Sequence, residues 1–286
     1  MTADTQELDR NAERVVKDIG IPPCPAILSE LMVAMRADDP DYRRISNLIS
    51  SDAALASAVI ATVNSAFYGL ATKATTVRDA CLLLGLRSTA LLVTGLLFRR
   101  AFPTNDRATM NHYWALSSAT AWNAAMIART LRVADRDSAH TYGLFRDCGL
   151  AVLLPCFPDY KEIMNYSVCD GETPLTQIED ERYAINHARA GYLLAQSWQL
   201  PAAMCEAILH HHDYVALNEA ELELSQETRR LIAVGFLAEQ LHWTERRGGP
   251  CPEWELGRTF TTKELGIGEN DVPELVETLK RQRAHG

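Results

Sequence analysis

HARAGYLLAQSWQLPAAMCEAILHHHD, residues 187–213, is the stretch whose reading decides the fold. Its first half, His187–Trp198, reads as one helix, and Pro201 suits the first turn of a second, where a fixed φ and a missing N–H do no harm. That second helix runs through Ala207 and Ile208 into His210, His211 and His212. About forty residues upstream of His187, Gly143-Leu144-Phe145-Arg146-Asp147-Cys148-Gly149 places a carboxylate in another apolar segment. Imidazoles and a carboxylate spread over helices are the material of a helical metal site. Arg146 stands where such a site would want a further ligand.

Working outward, the same apolar recurrence at three to four residues runs through the chain and predicts an all-α fold. A three-proline strap, Ile21–Pro25, cannot be helical and leads into a helix over Ala26–Arg36 with Ile27, Leu31 and Met35 on one face. The acidic turn Asp38–Asp41 caps a helix over Tyr42–Ser50. Asp52 opens another, striped by Leu55, Val59 and Val63 and closed by Asn64-Ser65-Ala66, where Asn64 either enters the left-handed region or satisfies the last carbonyls. Thr75/Thr76 to Leu84 ends at Gly85, and Arg87–Arg100 follows. After a polar break at Pro103–Arg107 come Asn111–Leu131 and one helix from Ala139 to Leu154 that carries Asp147. Further helices are expected at Asp159–Asn165, Thr176–Ala184, Gln226–Trp243 and Asp271–Arg283, with a loop at Val168–Pro174 and a turn-rich linker over 246–258. Residues 1–17 read as a polar leader with a weak helix from Glu7 to Lys17.

Composition narrows the function classes. With 47% hydrophobic and 23% charged residues, the 286-residue chain has the make-up of a globular protein. A net charge of −9 argues against nucleic-acid binding, and the basic pairs Arg43-Arg44, Arg99-Arg100, Arg229-Arg230 and Arg246-Arg247 read as solvated helix faces. Seven cysteines without a CxxC pair exclude a zinc ribbon and fit a reducing cytoplasm. The most apolar span, Ala80–Phe98, is interrupted by Gly85, Arg87 and Ser88 and predicts two buried helices, so no membrane span is expected. No nucleophile-elbow motif supports serine-hydrolase chemistry.

Over roughly residues 18–215 the chain resembles the HDOD family, the HD-related output domains of bacterial signalling proteins. The N-terminal part carries the strap Ile21–Pro25, Ser51-Asp52, Asn64-Ser65-Ala66 and Ala80…Leu84-Gly85. The second part carries Trp114…Ser117…Ala121, Gly143-Leu144…Asp147…Gly149, Glu179…His187…Gly191…Trp198…Leu200-Pro201 and Ile208…His211-His212. The resemblance implies kinship with HD and HD-GYP metal-dependent phosphohydrolases and a site remnant made of Asp147, His187, His211 and His212. Arg146 replaces the histidine of the His-Asp doublet, Leu116 stands for the first-helix histidine, and Ala184 for a usual glycine. No GYP-type motif follows the histidine pair, which removes the main support for cyclic-dinucleotide hydrolysis.

The expectation is therefore a two-lobed helical protein: an N-terminal lobe over 18–105, an HD-like lobe over 106–215 and a helical extension over 216–286. With no receiver, GGDEF, kinase or DNA-binding segment, it reads as an output module, alone or cut from a larger signalling protein. It would act on other signalling proteins without catalysis, with a degenerate metal site; the alternative is a phosphohydrolase with a reduced ligand set, and a smaller place is left for ligand sensing by the cleft. No cofactor is expected, and a single divalent transition metal is kept as the alternative. Arg146 would stand in for missing cation charge by pairing with Asp147 or Glu179. Each site residue also has a plainer reading: Asp147 as a buried acceptor, His187 as a satisfied core histidine, His211 and His212 as cleft polar groups, and Cys148 as packing. Because adjacent residues on a helix point about 100° apart, His211 and His212 would share a site only at the seam between them, and His210 is set aside. Asp52, Asn64 and Ser65 read as caps, or as part of a partner-facing surface.

Overall fold

A computed structural model describes residues 20–35, 37, 40–102, 107–164, 174–219 and 222–284. The expected leader helix Glu7–Lys17, Asp38 and Asp39 of the acidic turn, most of the break at 103–107, the end of the helix at Asn165 and most of the loop at 168–174 lie outside them. Among the described residues every regular element is helical, and no single helix is long and apolar enough to cross a membrane. The chain divides into two compact units, one built on residues 23–102 and 277–284, the other on 20–22 and 107–276.

The first unit contains α1 (Ala26–Met35), α2 (Tyr42–Ser50), α3 (Ala53–Val63), α4 (Val77–Leu84) and α5 (Leu86–Ala101). Its core includes Leu31, Ile45, Ile49, Val59, Val63, Val93 and Phe98, all without solvent exposure or nearly so. The stripe on α3 buries Leu55, Val59 and Val63 as its spacing requires. On α1 the buried line is Leu28, Leu31 and Ala34, with Ile27 and Met35 only half-buried. A 3.6-residue turn lets stripes of spacing three and four share Leu31, and packing decides which side faces inward.

Helix starts follow side-chain chemistry. Asp41 caps α2, and Thr76 with Asp79 forms a reciprocal capping box on α4. Asp52 accepts from the Leu55 N–H at 3.0 Å and pairs with Arg100. Ser65 donates its hydroxyl to the Thr62 carbonyl. Asn64 does neither thing expected of it: at φ −82°, ψ 0° it is not left-handed. Its amide instead clamps Ala74, donating to that carbonyl and accepting from that N–H, both at 2.8 Å. The clamp ties residue 64 to residue 74, closing most of the connection to α4 as a backbone pair would.

The second unit contains α6 (Arg107–Leu131), α7 (Arg136–Phe145), α8 (Cys148–Leu153), α9 (Leu175–Tyr183), α10 (His187–Ser197), α11 (Ala202–Leu209), α12 (Tyr214–Glu219), α13 (Gln226–Arg247) and α14 (Trp254–Leu265). α15 (Val272–Ala284) closes the described chain. The single helix expected over Ala139–Leu154 is two, α7 and α8, broken at Arg146-Asp147. Aspartate is a weak helix-interior residue, and Asp147 adopts φ −103°, ψ 26°, which frees its carboxylate from any capping bond. The linker expected over 246–258 shrinks because α14 begins at Trp254. The breakers Gly248, Gly249, Pro250 and Pro252 end before it, and burial of Phe260, Thr261 and Leu265 builds the helix beyond.

Replacing Asn64 by Ala removes two backbone-directed bonds at about 1 kcal/mol each, so Asn64→Ala should lose about 2 kcal/mol in urea unfolding. Asp52 bears on pH. The Leu55 N–H and Arg100 hold its pKa below the ordinary carboxylate value. A depressed folded pKa contributes stability above the unfolded value of 3.8, lost as pH falls through the folded one. Asp52→Asn keeps a capping side chain but not the charge. It should be less stable than the parent near pH 6, with the difference shrinking as pH falls below 3.8, as read from urea midpoints along the series.

Candidate metal centre

The site is assembled where three helix ends meet. Asp147 sits in the break between α7 and α8, His187 is the first residue of α10, and His211 and His212 lie in the turn after α11. Helix α11 ends at Leu209, so the 100° separation of neighbouring helix residues does not apply to the pair. Their rings lie 4.1 Å apart, centroid to centroid. His210 turns away and pairs with Asp213 at 2.7 Å.

Helices α8 and α10 cross at bare backbone. A Cβ on Gly149 would fall inside the His187 carbonyl oxygen. Only glycine permits the approach that brings Asp147 and His187 together. The N-terminus of α10 is fixed by Asn186, whose side chain accepts from the Arg189 N–H at 2.9 Å. Ahead of it, Ala184 is left-handed at φ 56°, a conformation that a Cβ disfavours and glycine tolerates.

Around Asp147 the contacts are charge-selective. Oδ1 lies 3.2 Å from His211 Nε2 and 3.7 Å from His187 Nε2, and Oδ2 accepts from Arg146 at 3.1 Å. Burial opposes the charged form of Asp147, but the Arg146 guanidinium beside it outweighs burial and holds its pKa far below the carboxylate range. Arg146 is 2% exposed. Its second partner is Glu239 of α13, at 2.9 Å but without hydrogen-bond alignment. Glu179, the alternative expected partner, faces the other way. This fully buried carboxylate accepts from the His187 N–H at 3.0 Å, from its Nδ1 at 2.7 Å and from the Tyr160 hydroxyl.

The three imidazoles share one pattern. His187 Nδ1 faces Glu179, His211 Nδ1 faces the Ile208 carbonyl and His212 Nδ1 faces Glu253, each at 2.7 Å. Carboxylates and carbonyls only accept, so each Nδ1 carries the proton and each neutral Nε2 presents a lone pair inward. Yet His187 Nε2 lies 3.1 Å from His212 Nε2, and His211 Nε2 lies 3.2 Å from a carboxylate oxygen. Both contacts are repulsive unless something positive lies between. Burial, His212 and Arg146 keep the His211 pKa well below the imidazole value, so it is neutral at pH 7. Burial alone would do the same to His187, but Glu179 and Asp147 reverse it and raise its pKa. One proton on His187 relieves the contact with His212 and leaves that of His211 with Asp147.

The donor set fits a metal ion. One ligand atom from each of Asp147, His187, His211 and His212 lies within 4.8 Å of all the others. An ion about 2.1 Å from its ligands holds tetrahedral neighbours roughly 3.4 Å apart, and three of the six separations, 3.1, 3.2 and 3.7 Å, bracket that value. Backing of each Nδ1 by an acceptor is the usual outer shell of metal-binding histidines. Imidazole ligands select borderline transition ions over Mg or Ca. On α6, Leu116 is only half-buried; the side chain that senses Asp147 is Tyr113, which is buried and has its pKa raised by burial and nearby Cys148 and Asp147. Sequence reasoning missed Tyr113, Tyr160, Glu239 and Glu253. None carries a local signal, since each is defined by a partner distant in the chain.

The described residues form an all-helical domain. The HDOD domain profile matches residues 21–214, and the chain belongs to that family. A candidate phosphohydrolase from Shewanella amazonensis superposes with TM-score 0.71 at 20% identity, covering 95% of this chain and 93% of that one. An HDOD domain protein of unknown function from Geobacter sulfurreducens gives TM-score 0.69 at 20% identity, with coverage of 97% and 96%. At these identities the likeness concerns the fold. An uncharacterized protein from Treponema pallidum is 26% identical over 202 residues, 68% of this chain. The matched segment spans 38% of that relative's length.

If Ala184 carries left-handed strain, glycine should relieve it. Ala184→Gly is expected to raise unfolding stability by about 0.5–1 kcal/mol, measured by chemical denaturation.

Proposed function

We propose that this chain is a signalling output module that works through contacts with other signalling proteins and holds one divalent transition ion at Asp147, His187, His211 and His212 in a structural role. The observation that carries this reading is the convergence of three Nε2 lone pairs on a carboxylate, with every Nδ1 committed outward. Four protein ligands complete a tetrahedral shell, and structural sites are closed in this way, whereas hydrolytic ions keep a position open for water. Arg146 supports the non-hydrolytic reading further. Its guanidinium is permanently charged and takes the Asp147 oxygen that could otherwise bridge to a second ion. Asp52, Asn64 and Ser65 shape the α3–α4 surface, a partner-facing candidate in the other unit.

The test is metal analysis of protein purified without chelator, combined with a screen of phosphomonoesters and phosphodiesters. About one transition ion per chain is expected, with no turnover above that of His187→Ala. Turnover abolished by His187→Ala would replace this reading with a one-ion phosphohydrolase. Protein that takes up no ion would remove the metal from the function.

A further inference from the structure

We infer that Glu253, which lies beyond the family-matched segment, is a positioning residue for the ion: it fixes the tautomer of His212, so the C-terminal extension completes a centre that residues 21–214 leave unfinished. This rests on the reading of Asp147, His187, His211 and His212 as ion ligands. The three histidines differ in what holds them. His187 is oriented by Glu179 and His211 by the Ile208 carbonyl three residues before it, both inside the matched segment. His212 depends on Glu253, 41 residues away, at 2.7 Å. The other group near its Nδ1 is the Tyr214 hydroxyl at 3.4 Å, which can donate or accept and so selects neither tautomer. A carboxylate only accepts. Glu253 therefore keeps the proton on Nδ1 and the lone pair on Nε2, the atom that meets His187 Nε2 at 3.1 Å.

The segment carrying Glu253 is held against the site by contacts of its own. The Cys251 N–H donates to Gln240 Oε1 at 2.8 Å, pinning the turn two residues before Glu253 to helix α13. Buried Cys251 packs with Tyr214 and Phe236, flanked by Trp243 and Trp254. Helix α13 lies against the end of α7: a Cβ on Gly235 would come within 2.5 Å of the Tyr142 ring and 3.3 Å of Arg146 Cδ. The same helix supplies Glu239 to Arg146 and receives the Asn123 amide on its Ala238 carbonyl at 3.2 Å. The extension thus contributes two carboxylates, one balancing the buried arginine and one aiming an imidazole.

The full chain titrated with Co(II) reads the effect directly, through the intensity of its visible d–d bands and through affinity by chelator competition. Wild type should bind with the intense bands of a four-coordinate ion. Glu253→Ala should bind about 10–100-fold more weakly with weaker bands, and Glu253→Asp should recover part of the loss. Glu255→Gln, on the exposed side of the same segment at 69% side-chain exposure, should match wild type. In a His212→Ala background, Glu253→Ala should cause no further loss, which separates positioning of His212 from general loosening of the fold. Wild-type affinity and spectrum in Glu253→Ala, or an equal further loss without His212, would overturn the role of Glu253 and leave the ion site standing. No Co(II) uptake by wild type would overturn both readings.

Discussion

Asp147 carries a charge that burial alone would neutralise, and the surrounding structure is arranged to keep it. A lone buried carboxylate costs several kcal/mol, and Arg146 compensates by donating to one oxygen while the other faces His211 and His187. Arg146 is buried in turn and requires Glu239 on its far side. The chain of compensation runs from α7 to α13, and it explains why the helix breaks where it does. An unbroken helix through residues 146 and 147 would hold the carboxylate in register with its neighbours instead of at the meeting point of α8, α10 and the turn after α11.

The imidazoles obey a complementary rule. Each outer nitrogen meets a group that can only accept, so the inner nitrogens carry lone pairs and the centre concentrates electron density. Arg146 adds one fixed positive charge beside that centre, held between Asp147 and Glu239. Of the two partners expected for Arg146, Asp147 is paired with it, and the second carboxylate is Glu239 in place of Glu179.

Much of this was legible along the chain, and what was not has a common cause. The helical class, the cap at Asp52 and the capping threonine at 76 follow from residue type and spacing, and the grouping of Asp147 with His187, His211 and His212 from the family resemblance. The failures cluster where a distant contact overrides local preference. Helix α14 forms beyond two prolines because Phe260 and Leu265 are buried. Asn64 spends its amide on Ala74 instead of on its own helix end. The inward line of α1 turns from Ile27 to Leu28 to meet its neighbours.

The sequence by itself determined which groups were present and where helices could start, because caps and periodicity act within one or two turns. It placed His187 at a helix start and the histidine run at a helix end, but left Arg146 and Asp147 inside a single helix that the structure breaks. Only the tertiary structure decided which carboxylate serves which imidazole: Glu179 for His187, Glu253 for His212, Glu239 for Arg146. Pairings of that kind depend on how helices cross, here through the bare backbone of Gly149 and Gly235. Crossing geometry is a property of packed surfaces and has no period along the chain.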